Sequence, residues 1–156
     1  MSVRSLVLVI ALAACHRGPK PPDGDIPPTL TATALEAHAF DAASFHGKPS
    51  LVLFVSPTCP YCMATIPRAA AAAKAQDANA VLVFVSGRSA GVTAVVNNMK
   101  WTGPAMLDET GDLKKRYGVK AVPFTLVLGA DGHAREVLEG EQEEADLKDA
   151  LSSAKG

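Results

Sequence analysis

Leu51-Val52-Leu53-Phe54-Val55-Ser56-Pro57-Thr58-Cys59-Pro60-Tyr61-Cys62 is the stretch whose reading decides the fold. Its first five residues are apolar without a break, and three of them are β-branched or aromatic. That is the pattern of a short strand covered on both faces. Ala64, the alanines from Ala69 to Ala73 and Lys74 then favour helix, interrupted by Pro67. Cys59 therefore falls where a central strand hands over to a helix N-terminus. Unpaired backbone N–H groups and the helix dipole favour an anion there, which predicts a stabilised Cys59 thiolate. Cys62 lies three residues on, close to one helical turn and within disulfide reach of Cys59. The two read as a redox pair, with Cys59 as the exposed nucleophile and Cys62 as the shielded resolving thiol. Pro60 and Tyr61 tune it, since Pro60 offers no N–H and Tyr61 does.

Strand, Cys-x-x-Cys and helix in this order, with Pro67 five residues beyond Cys62, resemble the thioredoxin superfamily. The Pro60-Tyr61 dipeptide matches that of glutaredoxins, but the longer resemblance, over roughly residues 34–153, is to the extracytoplasmic TlpA-like branch. Pro67 also removes a helix hydrogen bond, so a kink is expected there. Val122-Pro123-Phe124-Thr125 is the second motif. A proline heading an apolar strand reads by itself as an edge strand with a trans bond. The resemblance implies instead a cis proline lying against the Cys-x-x-Cys, with the Val122 backbone pairing with the substrate chain. It implies a mixed central sheet with helices on both faces, and thiol–disulfide exchange without a cofactor beyond the Cys59–Cys62 disulfide.

Three departures from the family patterns narrow the expectation. Thr58 stands where thioredoxins carry Trp, Leu53 where they carry a buried acid, and Thr65 where cytochrome-maturation reductases carry Glu. Without either acid, the Cys62 proton must leave through water or another group. No flavin or nicotinamide motif is present, so electrons are expected from an unidentified partner protein.

The chain begins Met1-Ser2-Val3-Arg4, and residues 5–14 are uncharged and mostly apolar. This run is too short to span a bilayer but has the length of a signal-peptide core. Leu12-Ala13-Ala14-Cys15 closes it and resembles a bacterial lipobox, which implies cleavage before Cys15 and lipidation of that cysteine. The alternative is an ordinary cleaved signal that happens to contain a cysteine. His16 follows where inner-membrane-retained lipoproteins carry Asp, which leans towards the outer membrane. Pro19, Pro21, Pro22, Pro27 and Pro28, with Gly18 and Gly24, keep the next segment extended as a tether. The expected organisation is a signal peptide over 1–14, a lipidated Cys15 with its tether over 15–29, and a thioredoxin-like domain over 30–156. The location is the periplasm-facing cell envelope, and the protein is expected to be a monomer.

Beyond the central stretch, an edge strand is predicted over 35–40, strands near 81–85 and 105–108, and a hairpin around Asp131-Gly132. Helices are predicted over 62–76, 90–99, 113–117 and 146–154. The 156 residues suit one domain with a real core, and 48% hydrophobic with 20% charged residues is an ordinary globular composition. A net charge of -1 leaves no basic footprint for nucleic acid. Zinc would need two more ligands beside the cysteines; His38, His46 and His133 are available, but no second close-spaced pair exists. Copper delivery is a closer alternative, because soft thiolates suit Cu(I), and a binding module with a merely structural disulfide is the plainest one. A three-residue loop gains little as a staple, which favours reactivity. Lys48, Trp101 and Tyr117 are read as turn, core and helix-end residues.

Overall fold

The computed structural model describes residues 33–35, 38, 43 and 46–156. Cys15, the signal segment and the tether lie outside the described residues. Six strands form one sheet in the order β1-β4-β3-β2-β5-β6. They are β1 Thr33–Ala34, β2 Ser50–Val55, β3 Asn79–Phe84, β4 Ala105–Leu107, β5 Phe124–Leu128 and β6 Ala134–Glu139. Strands β2, β3 and β4 run parallel, while β1, β5 and β6 each pair antiparallel with a neighbour, so the sheet is mixed.

The uninterrupted apolar run of β2 has the physical cause inferred from it. Every residue from Ser50 to Val55 is buried, and alternation sends neighbours to opposite faces. Leu51, Leu53 and Val55 join a core with Ile66, Ala69 and Ala72 of α1 (Pro60–Ala75), Val92 and Val96 of α2 (Ser89–Asn98), and Leu147 and Leu151 of α4 (Glu144–Ser153). Val52 and Phe54 face Leu113 of α3 (Asp112–Arg116) together with Tyr117 and Val119. Helices thus cover both faces. Phe54 packs edge-on against Phe124 and tilted against Tyr117, with ring centroids 5.8 and 5.6 Å away.

Helix α1 starts two residues earlier than its composition suggests, because Pro60 at its first turn brings a φ already suited to helix. It runs on through Pro67 without a break. Helix α2 starts at Ser89, one residue ahead of the predicted 90, and includes Gly91. Gly118 takes φ +65° just after α3, a left-handed stop that a side chain would resist. The predicted hairpin forms between β5 and β6, with a register shift at Val127/Leu128.

One edge assignment is corrected. Pairing with β4 falls at Thr33–Ala34, ahead of the predicted 35–40. Leu35 is buried just past the strand, its N–H on the Ala105 carbonyl at 3.2 Å, and His38 sits in a bend. A two-residue strand is too short to show alternation. Residues 36, 37, 39 and 40 lie outside the described residues.

Candidate active site

β2 ends at Val55, and four residues later Cys59 occupies the N-cap of α1. N-caps are usually Ser, Thr, Asp or Asn, whose side-chain oxygen accepts an orphan helix N–H. Here a sulfur does so: Cys59 Sγ accepts the Cys62 N–H at 3.3 Å. No acidic residue lies in the first turn to neutralise the partial positive charge of the helix end. Cys59 is half-buried, whereas Cys62 on the inner face is wholly buried, and both are free thiols. Burial pushes the Cys62 thiol up to about 12, reinforced by its hydrogen bond with Cys59 and opposed by the Ser56 backbone. The charge of Cys59 acts in the same upward direction.

The second motif arrives from the neighbouring strand. The Val122–Pro123 peptide is cis, and the Val122 carbonyl lies 3.7 Å from Cys59 Sγ. β5, which follows, is an interior strand between β2 and β6, so the edge-strand alternative for Pro123 does not hold. The Pro123 carbonyl is held by the Gly140 N–H at 2.9 Å, fixing the loop to the end of β6. Cys59, Pro60, Tyr61, Cys62, Val122 and Pro123 therefore converge at one end of the sheet. The Tyr61 ring is 60% exposed, and its carbonyl accepts the Thr65 hydroxyl at 2.9 Å. Thr65 also receives the Gln142 N–H at 3.4 Å, and Arg68 reaches Glu141 at 2.8 Å and Glu143 at 3.1 Å. These contacts tie α1 to the segment leading into α4.

Residues outside the two motifs shape the loop. Ser86 Oγ, beyond the end of β3, donates to Ser56 Oγ at 2.9 Å, and Ser56 Oγ lies 3.2 Å from Thr58 Oγ1. The Thr58 N–H points at Ser56 Oγ (3.4 Å), and the Cys59 N–H donates to the Ser56 carbonyl (3.2 Å). Gly87, at φ +111°, lies so close to Pro57 that a Cβ would come within 3.0 Å of its ring. Thr58 stood out in the sequence only as a departure from the thioredoxin pattern, and the hydrogen bonds of Ser56 and Ser86 left no signal there. Ser86 is thirty positions from Ser56, and only the parallel pairing of β2 with β3 joins them.

Other candidates stand apart. His38 Nδ1 lies 2.9 Å from the Gly103 carbonyl, and His46 is beside Gly132 in the hairpin turn. Among the described residues, no group of three or more His, Cys, Asp or Glu is arranged to hold a metal ion. Lys48 pairs with Asp77 at 2.6 Å, Trp101 is buried with its indole N–H on the Pro104 carbonyl, and Tyr117 is buried against Phe54. Leu53 pairs in register with Thr125, whose buried hydroxyl has no hydrogen-bond partner among the described residues.

Comparison with known proteins agrees with this fold. A stretch of 104 residues, 66% of this chain, is 31% identical to the soluble secreted antigen MPT53 of Mycobacterium tuberculosis. It spans 60% of the length of that relative. A secreted M. tuberculosis disulfide oxidoreductase homologous to E. coli DsbE superposes with a TM-score of 0.70 at 25% identity, over 81% of this chain and 96% of that one. A thiol:disulfide interchange protein of the thioredoxin family from Chlorobium tepidum shares the fold at a TM-score of 0.71 and 22% identity, over 80% of this chain and 91% of that one. The Redoxin family matches residues 21–154. The chain belongs to the Redoxin family and has a thioredoxin-like α/β fold.

Proposed function

We propose that this protein is a thiol–disulfide oxidoreductase acting on protein disulfides or dithiols in the bacterial cell envelope, with Cys59 and Cys62 as its redox pair. The observation that carries the reading is the asymmetry of the two thiols. Cys59 caps a helix, half-open beside a cis-proline loop, while Cys62 is buried with its proton held to about 12. Such a pair attacks through one sulfur and resolves through the other.

The Cys59 thiolate attacks a substrate disulfide; a Cys59–substrate bond forms and the other substrate sulfur leaves with the electron pair. Cys62, losing its proton to water, then attacks Cys59 Sγ, closing the Cys59–Cys62 disulfide and releasing the second substrate thiolate. Run backwards, the same steps oxidise a substrate dithiol. Val122, with its carbonyl beside Cys59, and Pro123 position the substrate chain, while Pro60 and Tyr61 set the balance between the two redox states. A partner protein supplies or removes the electrons. In this reading Cys15 carries a lipid and residues 15–29 hold the domain off the membrane; the secreted relative supports only the extracytoplasmic location.

The test is a pair of substitutions. Cys59→Ser is expected to abolish exchange with a disulfide substrate, and Cys62→Ser to accumulate mixed disulfides with envelope proteins, seen as dithiothreitol-sensitive bands. Undiminished exchange by Cys59→Ser would refute the reading. Tight binding of one Cu(I) with no exchange would replace it with copper delivery.

A further inference from the structure

The hydroxyls of Ser86, Ser56 and Thr58 make a directed chain that ends beside Cys59. Ser56 Oγ has two acceptor lone pairs and one proton. One lone pair takes the Ser86 proton (2.9 Å) and the other the Thr58 N–H (3.4 Å). Either oxygen can donate in the 3.2 Å contact between Ser56 Oγ and Thr58 Oγ1; with both Ser56 lone pairs engaged, its own proton takes that contact. That leaves the proton of Thr58 itself without an acceptor among the described residues, at an exposed position one residue before Cys59. A hydroxyl that already accepts a hydrogen bond is a stronger donor for the next one. The surrounding contacts hold the arrangement still: the Val85 N–H bonds the Val55 carbonyl (3.0 Å), and the Gly87 backbone lies against Pro57.

Resting on the oxidoreductase reading above, we propose that the Thr58 hydroxyl is a substrate-facing hydrogen-bond donor, aligned by Ser86 through Ser56, that stabilises the thiolate leaving a substrate disulfide. As Cys59 forms its bond to one substrate sulfur, the other takes the electron pair of the broken S–S bond. Thr58 donates to that developing anion, which afterwards takes a proton from water. The oxidising equivalent passes from the substrate disulfide to Cys59, so no further reagent is needed. Thr58 acts on the leaving group and not on the nucleophile. Ser86 is a positioning residue.

The experiment compares the reduced full chain with Thr58→Val, Thr58→Ser and Ser86→Ala in exchange with two probes. Glutathione disulfide releases a basic thiolate that needs the donor, whereas a nitrobenzoate disulfide releases an aromatic thiolate already stabilised by its ring. Loss of one hydrogen bond to an anion predicts that Thr58→Val slows exchange with glutathione disulfide about tenfold and with the nitrobenzoate disulfide less than about twofold. Thr58→Ser should restore the rate, and Ser86→Ala, remote from the substrate, should show a weaker loss with the same probe dependence. Alkylation of Cys59 by iodoacetamide should stay within about twofold throughout, because no thiolate departs. Equal losses with both probes, parallel loss in alkylation, or no loss with glutathione disulfide would overturn the proposal. Failure of the folded wild type to exchange with either probe would instead remove the oxidoreductase reading, and this proposal with it.

Discussion

At the scale of single residues, the site rests on one sulfur doing the work of a capping hydroxyl. Cys59 accepts a helix N–H while remaining half-open, and Cys62, one turn on, has lost contact with solvent. Burying a thiol has a consequence for stability as well as for chemistry. Because the folded Cys62 thiol ionises only near 12, the unfolded chain releases that proton first as pH rises. The folded state of the reduced protein therefore keeps this contribution below the ordinary thiol range and loses it between there and about pH 12. The slope should be about 1.4 kcal/mol per pH unit. Denaturant titrations of the reduced protein should show this decline, and Cys62→Ala should flatten it. A decline of equal slope in Cys62→Ala would assign it to other groups, among them the Tyr117 phenol, whose own ionisation burial pushes up.

At the scale of elements, the short helix α3 shows how a buried charge can be structural. Asp108, at the end of β4, is buried, and its carboxylate accepts the Leu113 N–H at 3.2 Å and the Lys114 N–H at 2.8 Å. These are first-turn donors of a five-residue helix whose N-cap, Gly111, has no side chain; the Thr110 hydroxyl takes the Asp112 N–H at 3.4 Å. Asp108→Ala should cost about 1–3 kcal/mol in urea unfolding, since it strands donors inside the fold. Asp108→Asn, which keeps one acceptor oxygen, should cost less. Equal stability of Asp108→Ala and the wild type would show that α3 does not depend on this cap. The β2–α1 junction was legible from a five-residue apolar run followed by helix formers. The cap of α3 was not, because Asp108 lies outside the helix it serves.

At the scale of the whole molecule, the sheet order brings residues from distant parts of the chain to one end. Parallel pairing of β2 with β3 sets Ser86 over Ser56, and antiparallel pairing of β2 with β5 sets Val122 against Cys59. Among the described residues, no helix is long and apolar enough to cross a membrane. The proposed anchorage rests on Cys15, and Cys15→Ser is expected to abolish incorporation of labelled palmitate and release the full chain from membranes of a Gram-negative host. Unchanged membrane retention without label would point to another attachment. The sequence by itself determined the close spacing of Cys59 and Cys62, their place between strand and helix, and the alternation of helices with strands, because local spacing and hydrophobic pattern carry that information. The buried Cys62 was expected from its helix position and the cis Val122–Pro123 bond from the family resemblance; only the tertiary structure decided that the strand after Pro123 is interior and that Ser86, Ser56 and Thr58 share hydrogen bonds. Those features depend on which strands lie side by side, and pairing between segments thirty to sixty residues apart leaves no periodic trace in either segment alone.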